Sequence, residues 1–554
     1  MSKSVISHQD KTLPASLQVE ERITPFQSIV WSLAFFILFF AFWIGGRELF
    51  RQEGLYATCA QEFSLETPFS AHGVIHNDVQ PLFPALASAL NRIGIPMEYT
   101  LRLISITMLG AWSLLAASVA ARRRNLRAGV VTFFCCAGTI FAMGKGVDGV
   151  PATTSAFFLL AGQLSFFHFG NRLANWNKAW LSASLLWILA FLAGGPIVLL
   201  YCIIPIFFLR RPLSVSSKFN TSGFFIACAL LIITIGWRML YFGGTWQMDI
   251  LPQEFSGWEN LKRLLVFPLL LPIRFFPWSV LMWLPVCAAL QAIDPTPVFS
   301  KYLRTIFAIA LALMWLLPER PANELFFVIG PLAIMTGLNY ELGIRRYRQW
   351  FTKALYLGEI IIVMAALAMA AMLLPARWLA VFPFLDTREL IYREGYSVVI
   401  AAALILLAVL AVFFHIQRKQ YPVWNMVLKL SVCSAIFCNI LILPAYITER
   451  RWRDLGRDIS TALPPDAKVK TLYKLDINGM FCGLFYAGVP VKKIKNLDEL
   501  PSGETIYLIA SGFPRHFGWR WSPLLPPDYN FEGEHLTMWR GVPVPPDEDE
   551  DIEQ

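Results

Sequence analysis

Long apolar runs dominate the first 446 residues of the chain, in place of strict alternation or short amphipathic stripes. About thirteen of them approach the roughly twenty residues that carry an α-helix across the hydrocarbon of a bilayer. They lie near 26–46, 99–121, 128–144, 150–169, 179–195, 196–210, 222–242, 274–293, 303–318, 324–341, 355–375, 396–416 and 425–446. The stretch "LLVFPLLLPIRFFPWSVLMWL" is too long and too broken by proline for one simple helix, and its first half is expected along the interface. After residue 446 polarity rises abruptly. "RWRDLGRDISTAL" has the spacing of an amphipathic helix, "KVKTLYK", "VPVKKI" and "TIYLIA" read as short strands, and "INGMFCGLFYAG" reads as a helix between the first two.

Composition agrees with the pattern: 56% of residues are hydrophobic and 15% charged, with 44 Phe and 19 Trp among 554 residues. So apolar a chain is an integral membrane protein. Its first apolar run lacks a small-residue cleavage site and reads as a retained helix. Basic residues in short loops are held on the cytoplasmic side. With the amino terminus inside, "ARRRNLR", "NRLANWNK", "LRRPLSVSSK", "GIRRYRQWFTK" and "QRKQ" all fall inside, which places the carboxyl terminus outside. The net charge of +9 is therefore a topology signal and gives no ground for nucleic-acid binding.

The expected organisation is a cytoplasmic tail over 1–25, a membrane domain over 26–446 whose first outside loop spans 47–98, an outside α/β domain over 447–541 and an acidic, disordered tail over 542–554. Most of the nine cysteines sit in apolar runs and behave as small hydrophobes. Cys59 and Cys482 fall in outside segments, but spacing alone does not pair them. "GKGVDG" matches the G-x-G-x-x-G dinucleotide pattern at Gly144, Gly146 and Gly149, yet it joins two membrane helices where that motif needs a strand in a βαβ unit.

The first outside loop is rich in charge. "RELFRQEGLYATCAQEF" (47–63) and "HNDVQPLFPALASALNRIG" (76–94) predict two short amphipathic helices on the membrane surface, which bring Glu53 and Asp78 to the water–lipid boundary. Acids held there demand a partner or a purpose. These residues carry a family resemblance. The first stretch resembles the first-loop signature of the GT-C superfamily of polyprenyl-phosphate-sugar-dependent glycosyltransferases, and is most similar to the bacterial lipid A aminoarabinose transferases. "NDVQPL" resembles the Asp-Val-His-Pro-Pro-Leu segment of protein O-mannosyltransferases. "GVDGVPATTSAFFLLAG", "LAGGPIVLL" and "FPWSVLMWL" are similar to further family segments, as are the thirteen spans and the outside α/β domain. The chain departs from the pattern at Gln52, where an Asp is usual, at Gly194, where a Lys is common, and at Gln80, in place of the first proline of Pro-Pro.

The resemblance implies a bacterial inner-membrane enzyme, multi-pass, with its active site in the periplasm. It would move a sugar from a polyprenyl-phosphate carrier to lipid A, another glycolipid or a protein. Such a donor already has a competent leaving group, so the step needs cations around the departing phosphate and a carboxylate for the acceptor's proton, with single inversion as the outcome. Glu53 and Asp78 are the candidate catalytic acids, as base, orienting group or ligands of a divalent metal ion. Arg47, Arg51, Tyr56, Lys145, Asp148, Arg274 and Arg320 are the candidate substrate and phosphate residues. Each has a plainer reading. Glu53 pairs with Arg47 or Arg51; Asp78 caps the helix near Pro81; Lys145 and Asp148 are loop solvation; Arg274 snorkels; Arg320 and Glu319 make a turn; Tyr56 packs; His72 and His76 are surface histidines. A secondary transporter and a catalytically eroded scaffold of the same fold are the other classes. Charges gathered at the outer ends of spans disfavour the transporter.

Overall fold

The computed structural model describes residues 25–44, 48–209, 219–241, 257–316, 324–372, 402–409, 412, 430–436, 452–464 and 471–544, except positions 51, 65, 77–78, 292, 476, 478, 502, 515, 517–518, 526–529 and 532–533. The expected spans 396–416 and 425–446 lie mostly outside these, as do both tails.

The membrane part is a helical bundle. Its described helices are α1 (Pro25–Ile44), the first-loop helices α2 (Gln52–Gln61) and α3 (Leu82–Arg92), α4 (Met97–Arg123), α5 (Leu126–Ala137), α6 (Ile140–Lys145), α7 (Ala152–Phe167), α8 (Trp176–Gly194), α9 (Ile197–Phe207), α10 (Ser222–Tyr241), α11 (Gly257–Arg274), the one-turn α12 (Ser279–Met282), α13 (Pro297–Leu316) and α14 (Leu325–Met372). Among the described residues five stretches are long and apolar enough to cross a membrane: Met97–Arg123, Trp176–Gly194, Ser222–Leu240, Pro297–Leu316 and Leu325–Tyr347. α14 bends at Tyr347, whose φ of −125° leaves the helical range.

Local chemistry sets the helix ends. Asn125, Thr139 and Asn175 accept the backbone N–H three residues on and so cap α5, α6 and α8. α8 stops at Gly195, whose φ of +83° is open to glycine at little strain, and Pro196 restarts the chain as α9. Two expected spans are broken. The run 128–144 divides into α5 and α6 at Gly138-Thr139, because Thr139 caps a new helix. The run 274–293 begins where α11 ends and turns at 275–278, since Pro277 and Pro285 deny it a continuous backbone ladder.

Small residues bring helices close, as packing within a bilayer favours. A Cβ on Gly129 of α5 would lie 2.8 Å from that of Ala121 in α4, and one on Gly162 of α7 would lie 2.5 Å from the Trp187 ring of α8. The bundle has two polar ends. At one, Arg124 pairs with Glu341 at 3.5 Å and the Arg123 guanidinium sits 3.8 Å from the Phe299 ring centre. The first loop lies at the other.

The carboxyl-terminal unit contains α15 (Trp452–Ala462), α16 (Phe481–Ala487) and a five-stranded sheet of β3 (Leu472–Leu475), β4 (Val491–Ile494), β5 (Ile506–Ala510), β6 (Trp519–Pro523) and β7 (Thr537–Pro543), the first loop having contributed the hairpin β1 (Ser70–Ala71) and β2 (Val74–Ile75). The sheet order is β4–β3–β5–β7–β6. The expected βαβ pattern makes the parallel part, with β3 paired to β4 and β5. β6 and β7, which the sequence reading did not place, add antiparallel to the β5 edge. Leu472, Val491, Ile509 and Met538 join the core that continues into the bundle, whereas Ile494, Ile506, Leu508 and Trp539 form a separate core on the other face.

This unit is seated on the first loop. Both loop helices form where expected, but Glu53, Gly54, Tyr56, Ala57, Thr58, Cys59 and Ala60 of α2 are buried, so the helix is sandwiched between bundle and domain. A Cβ on Gly54 would lie 2.6 Å from the Cys482 nitrogen, so α2 meets the start of α16 backbone to backbone. Cys59 and Cys482 form no disulfide. The hairpin turns through His72 and Gly73, at φ 54° and 72°, and Glu62 accepts both of their N–H groups at 3.0 and 3.5 Å. The His72 carbonyl accepts from Lys493 at 2.9 Å and its ring stacks on Phe481 at 5.0 Å. His72 is thus an interface residue, 3% exposed, where a surface histidine was expected.

Burial, with the positive Lys474 nearby, pushes the His72 pKa down to about 3. A histidine kept neutral when docked takes a proton when undocked below about pH 6.5, so its docking contribution is whole above that pH and falls towards pH 3 at up to ~1.4 kcal/mol per pH unit. Glu62, raised chiefly by burial, works against this slope in the carboxyl range, so pH 7 to 5.5 is the clean window. His72→Phe keeps the ring stack without the titration. Its unfolding midpoint should change less than that of the wild type between pH 7 and 5.5; equal slopes would remove His72 from the docking energetics.

Candidate active site at the loop end of the bundle

The centre of the loop end is an ion pair removed from water. Glu53, in the first turn of α2, meets Arg102 of α4 at 3.1 Å, with the two side chains 1% and 0% exposed. All four lone-pair directions of the carboxylate are engaged. Oε1 accepts the Gly149 N–H at 2.6 Å and Arg102 Nε at 3.5 Å, while Oε2 accepts Arg102 Nη2 and, at 3.0 Å, the Phe50 N–H. Arg102 also donates to the Glu48 carbonyl at 2.8 Å. Among the described residues the partner of Glu53 is Arg102, which the sequence reading passed over. Its signal was a lone guanidinium inside an apolar run, where a charge requires a counter-charge.

Gly149 carries this anchor to the next candidates. Lys145 closes α6 and pairs at 3.1 Å with Asp148, one residue before the glycine. Asp148 is buried and Lys145 one-third exposed. At its other end α6 is held by the Ile140 N–H on the Phe276 carbonyl at 2.8 Å, two residues beyond Arg274, which ends α11 half-buried. Tyr56 packs edge-on against Phe83 at 5.5 Å and joins α2 to α3. Arg47, Arg51, Asp78 and Arg320 lie outside the described residues.

Two further clusters escaped the sequence reading. Gln80, two residues beyond Asp78, hydrogen-bonds Arg238 near the end of α10, and both are buried. Arg238 lies 5.9 Å from the ring centres of Phe69 and Phe191, and a Cβ on Gly195 would meet the Gln80 amide at 3.0 Å. The first loop, the α8–α9 turn and α10 thus converge on one guanidinium. Lower in the bundle, Tyr201 of α9 donates to Glu324 at 2.6 Å just before α14 begins. As signals, Arg238 offered one charge near the end of an apolar run and Glu324 one acid beside another.

Among the described residues no three of His, Cys, Asp and Glu converge as a metal group needs. Glu53, its oxygens filled by N–H donors, does not fit a metal ligand in this arrangement.

A many-helix membrane bundle with an α/β unit clasping its first loop defines the class. No protein-family model matches the chain, and no curated protein matches it by sequence. Solved structures do. ArnT from Cupriavidus metallidurans bound to undecaprenyl phosphate superposes with a TM-score of 0.67 at 15% identity, over 94% of this chain and 99% of that one. The apo state of the same protein gives 0.64 at 15% identity, over 87% and 92%. The chain has the fold of these ArnT structures over nearly its whole length.

Leaving one member of a buried pair without its partner costs roughly 3–5 kcal/mol. Glu53→Gln and Arg102→Met should each lower the unfolding midpoint of the detergent-solubilised protein sharply, and the double variant should lose less than the sum of the two. Additive losses would show that the pair does not act as a unit.

Proposed function

We propose that the chain is an integral membrane glycosyltransferase that moves a sugar from a polyprenyl-phosphate carrier to an acceptor outside the cytoplasmic membrane. The observation that carries this reading is the end-to-end correspondence with a transferase structure whose bound molecule is undecaprenyl phosphate. It is supported by the gathering of Glu53, Arg102, Lys145, Asp148, Gln80 and Arg238 at the loop end of the bundle.

The chemistry is a single displacement. An acceptor oxygen bonds to the anomeric carbon as that carbon's bond to the carrier phosphate breaks, the acceptor's proton passes to a carboxylate, and the phosphate leaves with the bonding pair. Asp78 is assigned the proton, because both Glu53 oxygens are taken by N–H donors. Asp148 orients substrate and steers Lys145. Lys145, Arg274 and Arg320 receive phosphate charge, with Arg47 and Arg51 at the loop entrance, and Arg238 joins them at the Gln80 corner. Guanidinium forks suit phosphate oxygens because they donate two parallel hydrogen bonds. If the step uses a divalent ion, Asp78 is its candidate ligand. The setting is the bacterial inner membrane with the loop end in the periplasm, the configuration inverts, and the acceptor is lipid A, another glycolipid or a protein.

Comparing envelope glycolipids and proteins by mass spectrometry, with and without the chain, should reveal one sugar-sized mass difference. Asp78→Asn should reduce transfer from a polyprenyl-phosphate donor by about 10²–10⁴-fold, with Lys145→Met weakening donor use. Full transfer by Asp78→Asn would remove the assignment of the base, and identical envelopes would remove the transferase.

A further inference from the structure

We infer that the carboxyl-terminal α/β domain positions the active site through residues 48–50, and that Tyr486 and Arg453 are positioning residues of the reaction; the catalytic half of this inference rests on the glycosyl-transfer reading.

These three residues are tied on both sides. Towards the domain, the Glu48 carboxylate accepts the Arg453 N–H at 3.1 Å, at the start of α15, and the Leu49 N–H donates to the Tyr486 hydroxyl at 2.8 Å. Towards the bundle, the Glu48 carbonyl accepts Arg102 Nη2 at 2.8 Å and the Phe50 N–H donates to Glu53 Oε2 at 3.0 Å. The domain's contacts and those of the buried ion pair therefore share consecutive peptide units. Neither set can shift without the other, because a peptide is planar and each residue has only two soft torsions.

A second connection closes the ring. The Arg453 guanidinium reaches Glu98 at 2.6 Å and lies 5.6 Å from the Tyr486 ring centre. Glu98 stands in the first turn of α4, one turn before Arg102. The domain thus grips α4 and the strap together. Beyond the ion pair, Glu53 Oε1 holds the Gly149 N–H and so the turn that carries Asp148 and Lys145. A displacement at Tyr486 reaches Asp148 through these hydrogen bonds and the peptide units between them.

The test uses the full chain in detergent, with hydrogen exchange followed in the segments 48–61 and 146–150 and in α8 as reference. Tyr486→Phe and Arg453→Ala should speed exchange in both segments about tenfold, the scale of one lost hydrogen bond, and leave α8 unchanged. Arg453→Lys, which keeps a cation for Glu98, should restore much of the protection. In transfer assays kcat should fall with that same order of variants while KM for the carrier stays within about twofold, as for a group acting on the transition-state geometry. If Tyr486→Phe also loosens α8, Glu98→Gln opens the ring from the bundle side and must loosen 48–61 and 146–150 alone. Wild-type exchange at 146–150 in every variant that loosens 48–61 overturns the inference. Coupled exchange in a wild-type chain that transfers no sugar would sink the transferase reading and leave the coupling standing.

Discussion

A carboxylate and a guanidinium withdrawn from water within one bundle set the terms for everything around them. Moving two charges into a low-dielectric interior is repaid only when geometry and further hydrogen bonds satisfy them fully. The Glu53–Arg102 pair meets that condition by recruiting the N–H groups of Phe50 and Gly149 and the carbonyl of Glu48. Its demand for donors fixes the entrance to α2, the turn before α7 and the outer part of α4 at once. The loop end is rigid because a charge pair is satisfied there, and the first loop is folded onto the bundle for the same reason.

That requirement explains why a polar domain covers an apolar bundle. A buried loop needs a partner for every backbone group, and lipid offers none. The α/β unit supplies Tyr486 for the Leu49 N–H and β4 for the His72 carbonyl, and the start of α15 donates to the Glu48 carboxylate. Its sheet is two-faced to match, one face continuing the core of the bundle and the other closing over a core of its own. Burial raises the Glu48 carboxyl, and the backbone donors of Arg453 and Trp452 limit that rise.

The cations at the loop end arrive by different routes. Lys145 comes from a helix stop, Arg274 from the end of a proline-bent helix, and Arg238 from within a span near its end. The chain lacks the lysine common at Gly194, and the cation that occupies this corner, Arg238, is carried by a helix more than forty residues further along. Position in the chain and position in the site are decoupled, which is how one fold can keep a cation at the same corner while its local motifs diverge.

The chain itself dictated the element types. Apolar runs of span length became α1, α4, α8, α10, α13 and α14, and three strands with one intervening helix formed where their alternation placed them, since bilayer thickness and side-chain period act on consecutive residues. It could not show that the run 128–144 divides at a threonine cap, or that β6 and β7 extend the sheet, because those outcomes depend on packing partners. For the site, it offered Glu53, Lys145 and Asp148 as candidates, which the structure brings together around Gly149, yet it missed Arg102, forty-nine residues from its mate. A buried charge declares its need for an opposite charge in the sequence; which one answers is settled only when helices distant along the chain are brought side by side.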